Sequence, residues 1–329
     1  MLQYAFDLIS IAFIFILGCV GEILTEKAGH LNLGIPGIMC IGAAGGILGV
    51  VVAGNVNMFL TIIVATLFAI LFAAAAGGIY AFLTVSLHCN QNVTGLALTI
   101  FGNGFSSFFV NSIIKLSGPT GKGEMIAAAG KYFVAHLPVP EKGAAIWNLF
   151  LGHGILAYVA LAIAIAAAIM LRFTRVGLNL RSVGESPATA DAAGINVTAY
   201  KFSFILIGSA IAGIGGMFYP MQYMAGIIGS ELFPTIEGIG WLCIALVIFC
   251  LWKPSFAILG SVIFGALYVM KDYTTKIFPG ITFTFPQLKA IALVPYIVTI
   301  VVLVVTSMFG KKETLGPAGL GVSYFREDR

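Results

Sequence analysis

Charge is scarce in this sequence. Of its 329 residues only 9% are Asp, Glu, Lys or Arg, while 60% are hydrophobic. A soluble domain carries about 25% charged and about 45–50% apolar residues. Mean hydropathy is +1.04. A single soluble core stops growing at roughly 250–300 residues, so a water-soluble chain has no use for this much apolar surface. The composition excludes a cytosolic enzyme, a disordered regulator and a secreted disulfide scaffold. Cysteine is scarce as well. Cys19, Cys40, Cys89, Cys243 and Cys250 lie in or beside apolar runs, and none forms a Cys-x-x-Cys pair. Neither a metal site nor a disulfide framework is indicated. His30, His88, His136 and His153 are scattered, and no cofactor is expected. The net charge is +4 and the basic residues are spread along the chain, so no nucleic-acid partner is expected. A nucleotide motor is missing too. SGPTGKGE at 117–124 resembles a phosphate loop, but Leu116 and Gly123 stand where Gly and Ser or Thr are needed.

Long apolar runs fill the space. They lie near 5–24, 33–54, 57–86, 92–112, 153–172, 201–223, 239–252, 255–270 and 288–309. Each crossing takes roughly 20 residues. The expected fold is therefore all-α, a polytopic transmembrane helical bundle of about 8–10 spans surrounded by membrane lipid. The runs 239–252 and 255–270 are short and closely joined by Lys253-Pro254, so they read either as two short spans or as one broken hairpin. The start, MLQYAFDLIS, has no basic segment and no cleavage site after its apolar run, so it reads as a retained first span.

Lys and Arg concentrate in cytoplasmic loops. Placing 172–201 inside puts Arg172, Arg175, Arg181 and Lys201 there. Alternation adds Lys27, Lys253, Lys311, Lys312, Arg326 and Arg329. Lys271, Lys276, Lys289 and the four lysines of 113–152 fall outside. The N-terminus is then outside and the C-terminus inside. Residues 1–309 form the membrane domain, 113–152 an extracytoplasmic loop with an amphipathic element, and 310–329 a polar, flexible cytoplasmic tail.

Forty glycines are many. Gly42 with Gly46, Gly45 with Gly49, and the group Gly208, Gly213, Gly215 and Gly216 have the spacing of closely packed membrane helices. NLGIPG at 32–37 and GNGF at 102–105 mix Asn with Gly at membrane depth, which suits irregular backbone along a path. Asp7 and Glu22 sit near the ends of the first run, and Glu231 and Glu237 are placed in the outer connection before Trp241. With so little charge inside, an ion-driven carrier is disfavoured, because such carriers bury ionisable groups. The remaining mid-span polar residues, Asn92, Thr94, Thr99, Asn103, Ser106, Ser107 and Asn111, are uncharged. They suit either a neutral polar solute or hydrogen bonds between helices.

The most informative stretch is TRVGLNLRSVGESPATADAAGINVTAYK at 174–201. Ser186 can cap a short helix with Pro187 at its first position. Gly194 can end that helix in the left-handed conformation. Its small residues, Ala188, Ala190, Ala192 and Ala193, can sit in a partner's groove; an ordinary connector would have the same chemistry.

The pattern T-R-x-G-x-x-x-R-x-V-G-E-x-P-x-x-A-x-x-A-G-I at 174–195 resembles the coupling segment of ABC-importer permeases serving ribose-type sugars, nucleosides and branched-chain amino acids. EKAGHLNLGIPGIM at 26–39 is similar to the nucleoside-importer branch, except that Pro36 stands where that branch carries Glu. GIGGM at 213–217, LPVP at 137–140 and IWNLF at 146–150 also fit. The resemblance covers about 5–309. It implies a permease subunit in a bacterial cytoplasmic (inner) membrane, itself no enzyme. Its partners would be a separate ABC ATPase, in this branch often one fused double chain, a second permease, identical or different, and an extracytoplasmic binding protein or lipoprotein. The solute would be a nucleoside, alternatively a simple sugar or riboflavin. Arg175, Gly177, Arg181, Gly184, Glu185, Pro187, Ala190, Ala193, Gly194 and Ile195 would make the ATPase coupling surface. Asn32, Gly34, Gly37, Asn92, Thr94 and Asn103 are the candidates for the solute path. The competing readings are a stand-alone secondary carrier and a channel or structural subunit.

Overall fold

The computed structural model of the chain describes residues 2–54, 56–115, 122–138, 144–278, 280, 283–309 and 316–325. Leu116 to Gly121 of the phosphate-loop-like stretch, Pro140 of LPVP, and Lys311, Lys312, Arg326 and Arg329 lie outside the described residues. In chain order the helices are α1 Leu2–Lys27, α2 Ile35–Ala53, α3 Met58–Ala81 with a π turn to Ser86, α4 Gln91–Lys115, α5 Lys122–Val134 and α6 Ala144–Leu151. There follow α7 Ile155–Phe173, α8 Arg175–Glu185, α9 Pro187–Ala192 and α10 Val197–Phe218 with a π turn to Tyr223. The last are α11 Leu232–Phe249, α12 Pro254–Val269, α13 Thr274–Ile277, α14 Phe285–Ala292 and α15 Val294–Phe309. Among the described residues, nine helical stretches are long and apolar enough to cross a membrane.

Burial separates centre from rim. The most apolar windows of α1 and α2 are 83% buried and that of α10 is 67% buried, against 22% for α3 and 6% for the span 285–302. The centre is joined through glycine. Lipid is as apolar as leucine, so spans associate by close packing, and small residues let backbones approach. Gly21 of α1 meets Gly208 of α10 at the carbonyls, Gly42 of α2 lies on Gly213, and Gly216 lies on the Met39 carbonyl. Gly45 and Gly49 receive Phe68, Phe72 and Ala65 of α3. Along α3 the buried stripe Ala65, Ala69, Ala73 and Ala76 recurs every three or four residues, the helical period. Gly37 of α2 is crossed by Leu98, Thr99 and Gly102 of α4.

Four expectations need correction. The helix containing Glu237 begins at Leu232, so Glu237 lies inside a span, not in an outer connection. The apolar run was placed too late because Pro234 and Glu237 interrupt its hydropathy, although a proline in a helix's first turn is tolerated. GNGF is not a break: α4 runs unbroken through Gly102–Phe105. The bundle does hold ionisable residues, since Glu22, Glu26 and Lys201 are 0%, 2% and 2% exposed. Finally, the tail is not free over 316–325; it is hydrogen-bonded to the bundle. The runs 239–252 and 255–270 correspond to two separate helices, Leu232–Phe249 and Pro254–Val269, joined by a short turn.

The bundle has two ends. Gly29, Gly184 and Gly319 converge at one. Gly130 against Ala225, and Gly154 against Phe133, mark the other, where α5 packs through Ile126, Ala129 and Phe133.

Candidate functional site

The stretch 174–196 is built by local rules. Thr174 closes α7 and opens α8: its Oγ1 donates to the Met170 carbonyl (2.7 Å) and accepts from the Gly177 amide (3.1 Å). The buried residues of α8 are Gly177, Leu180, Val183 and Gly184, three or four apart, so one face is covered. Gly177 is required by contact, because a Cβ there would come within 2.6 Å of the Leu171 Cα. Gly184 lies on the Lys27 carbonyl at the end of α1. Ser186 caps α9, with its Oγ accepting from the Thr189 amide at 3.4 Å. Gly194 ends the turn at φ +83°, a conformation that costs other residues roughly 1–2 kcal/mol.

The ten residues proposed from the sequence therefore divide. Arg175, Arg181, Glu185, Ala193 and Gly194 are exposed, and Pro187 and Ile195 are half-buried. Gly177, Gly184 and Ala190 are buried. Ala190 packs with Val183 and Val197, so these three hold the segment against the spans.

The tail adds a strap that sequence reasoning missed. The Gly319 amide donates to the Gly184 carbonyl (2.9 Å), and the Gly321 amide donates to the Gly29 carbonyl (3.2 Å). The Ala318 amide donates to Glu185 Oε2 (3.2 Å), and the Tyr324 hydroxyl donates to Asp191 Oδ2 (2.9 Å). Gly316 packs on the indole of Trp252, whose Nε1 donates to Glu26. Phe325 lies 4.4 Å from the His88 ring, centroid to centroid. One short segment thus ties α8–α9 to the ends of α1, α3 and α11. The signal available in the sequence was its small-residue composition, GPAGLG at 316–321, which lets backbone approach backbone.

The proposed path residues do not form one cluster. Asn32 is fully buried in the α1–α2 connection. Its amide donates to Glu22 Oε1 (3.1 Å), and its Oδ1 accepts from the Gly34 amide (2.9 Å). Tyr80 and Thr99 donate to the carbonyls of Leu31 and Leu33 (2.7 and 2.8 Å), and the Leu31 amide donates to Gln91 (2.9 Å). Polar side chains of α1, α3 and α4 thus satisfy an irregular segment, as apolar surroundings demand. Gly34 and Gly37 are buried beside it. Asn92 and Asn103 lie about three turns apart on one face of α4. The Asn103 amide donates to Glu237 of α11, and Ser107 Oγ donates to Asn103 Oδ1 (3.4 Å). Thr94 faces elsewhere, into an apolar groove of about 440 Å³ with Leu83, Ala97 and Phe101. Sequence reasoning missed Glu22, Glu26 and Lys201 as interior groups and misplaced Glu237. The i,i+4 spacing of Glu22 and Glu26 was the available sign that they share one helix face.

Comparison with known proteins decides the class. The family described as branched-chain amino acid transport system, permease component, matches residues 4–306. The chain belongs to that permease family. A nucleoside ABC transporter permease of Lactococcus lactis is 30% identical over 307 residues, 93% of this chain and 92% of the relative. A putative glucose ABC transporter permease of Haloferax volcanii is 32% identical over 259 residues, 78% and 73% of the two chains. A guanosine ABC transporter permease of Bacillus subtilis is 26% identical over 328 residues, 95% and 93%.

This permease is thus a multi-pass membrane transport component of the ABC-importer kind, and the family works with ATPase, substrate-binding and second-permease partners. In the permease, the half-buried edge of α4 with Asn103 and Ser107 faces the half-buried edge of α11 with Glu237. That polar pairing joins two helices long and apolar enough to cross a membrane. The tail straps α8 and α9 and leaves Arg175, Arg181 and Glu185 exposed.

Proposed function

We propose that this permease forms, with a second permease subunit, the translocation path of a bacterial inner-membrane importer for nucleosides. A separate ABC ATPase, as one fused double chain or two, docks on 172–201, and an extracytoplasmic binding protein or lipoprotein delivers the solute. On this reading residues 1–309 are the permease domain, 113–152 is extracytoplasmic and 310–329 is cytoplasmic. Arg175, Arg181, Glu185, Pro187, Ala193, Gly194 and Ile195 meet the ATPase, and Gly177, Gly184 and Ala190 position them. Asn92 and Asn103 line the path, and Asn32, Gly34 and Gly37 shape its wall; Thr94 belongs to the neighbouring groove.

The single observation that carries the nucleoside reading is the near-full-length likeness to the nucleoside permease of Lactococcus lactis. A simple sugar is the second reading, supported by the likeness to the Haloferax volcanii protein. The test is uptake of radiolabelled guanosine and glucose by cells lacking the chain, with and without its re-expression. Restored guanosine uptake with unchanged glucose uptake is expected; the reverse pattern overturns the nucleoside assignment. In the same assay Asn103→Leu leaves the protein in the membrane and lowers guanosine uptake about tenfold, because Glu237 loses a charge-assisted hydrogen bond of about 1.5–3 kcal/mol. Unchanged uptake would remove Asn103 from the path.

A further inference from the structure

The N-terminus of α10 opens into a hollow whose outer rim includes Gly194 and Ile195 of the proposed docking segment, but whose inner groups, His30 and Lys201, have no part in the proposed ATPase contact. A pocket of about 490 Å³ lies there, lined by Ser86, His88, Asn196, Val197, Thr198 and Tyr324 among others. It adjoins an inner hollow of about 20 Å³, shared with His88, Val197, Thr198 and Tyr324 and closed by His30 and Lys201. The inner hollow has room for one water-sized atom.

No Asp or Glu lines the inner hollow among the described residues. Lys201 is 2% exposed, and its Nζ has no hydrogen-bond partner among the described residues. His30 is 1% exposed, and neither ring nitrogen is partnered. Burial, with Lys201 nearby, pushes His30 down to about 3, so at neutral pH it offers one N–H and one lone pair. Lys201 stands four residues into α10 and therefore shares a face with Val197. Helix α10 is 22 residues long. Asn196 caps only its Ala199 amide (3.0 Å). The first amides of a helix have no partner within it, and the positive end of the helix dipole favours an anion. Asp191 lines the outer pocket only, where it accepts from Tyr324. A buried ammonium without a counter-charge is costly. Lys201, His30, Val197 and Thr198 all line the same inner hollow.

We propose that this hollow is an oxyanion site, taking a phosphate group with one oxygen against Lys201 and the amides of Val197 and Thr198, and the remainder in the outer pocket. The phosphate chemistry is shared by a free phosphate-bearing solute and a lipid headgroup. Tyr324 of the tail forms the mouth, so occupancy and tail docking share one boundary. This inference does not depend on which solute the permease carries.

The test is thermal unfolding of the full chain in a phosphate-free maltoside detergent. Inorganic phosphate is titrated against chloride at matched ionic strength. A second arm adds phosphatidylglycerol instead. Phosphate should raise the midpoint saturably, and Lys201→Met should weaken its apparent affinity about tenfold or more, the loss of one charge-assisted hydrogen bond. Lys253→Met, an exposed lysine at the same end, should leave it unchanged. Should Lys201→Met not fold, Val197→Pro removes one donor at a position where proline is favoured, and should weaken phosphate in the same direction. A shift with inorganic phosphate assigns the site to a free solute; a Lys201-dependent shift only with phosphatidylglycerol assigns it to a headgroup. No shift from either source, or one equally large with chloride, overturns the proposal.

Discussion

Glu185→Arg is expected to abolish solute uptake while the permease still accumulates in the membrane. Glu185 ends α8, is exposed, and accepts from the Ala318 amide of the tail at 3.2 Å. Reversal does two things. It removes the acceptor of an exposed bond, worth about 0–1 kcal/mol after solvent screening, loosening the strap where it meets the coupling segment. It also adds a cation beside Arg181 on the face proposed to receive the ATPase. No span is touched, so folding is spared. A misplaced charge at an interface costs several kcal/mol, so uptake should fall at least about tenfold. The check is ATP-dependent uptake normalised to membrane-embedded protein, alongside the amount of ATPase that co-purifies. Wild-type uptake with wild-type ATPase recovery would remove Glu185 from the docking surface.

Gly102→Leu is expected to destabilise the bundle strongly. Even a Cβ at Gly102 would stand 2.5 Å from the Cα and carbonyl oxygen of Gly37 and 2.7 Å from its carbonyl carbon. Those atoms are backbone of α2, the helix buried over 83% of its most apolar window. A flexible side chain could rotate away, but a helix backbone must translate. Overpacking a well-filled core costs about 1–3 kcal/mol where side chains give way, and this crossing has none to give. The loss should reach about 3 kcal/mol or more. Gly104→Ala, two residues on, is the control, since nothing lies within 4 Å of a Cβ there. Helix propensity should make that change neutral or stabilising by up to about 1 kcal/mol. Thermal unfolding of the purified chain separates the two. Equal midpoints would show that α2 and α4 do not cross at Gly37.

The spans were legible because lipid demands long apolar helices, and α1, α2 and α7 sit close to their hydropathy runs. The coupling segment was legible because its devices are local: Thr174 and Ser186 as caps, Pro187 at a first position, Gly194 at positive φ. What sequence could not show was partnership between distant positions. Glu237 reads as a loop residue until α11 begins at Leu232 and Asn103 turns out to face it. Glu26 reads only as part of a motif until Trp252 reaches it from 226 positions away. The tail reads as polar and loose, and only the third dimension brings Gly319 to Gly184. The same limit split the coupling set, because facing inward or outward depends on where α1 ends. It also undid one argument. Scarce interior charge counted against an ion-driven carrier, yet Glu22, Glu26 and Lys201 are buried. The case for an ATP-driven importer therefore rests on the family and on the strapped surface of α8 and α9.

The most direct measurement is guanosine accumulation in proteoliposomes containing the permease pair and the binding protein, with and without the ATPase and ATP. The account predicts accumulation only when both ATPase and ATP are present, and none from a proton or sodium gradient alone. Accumulation driven by an ion gradient in the absence of the ATPase would contradict it.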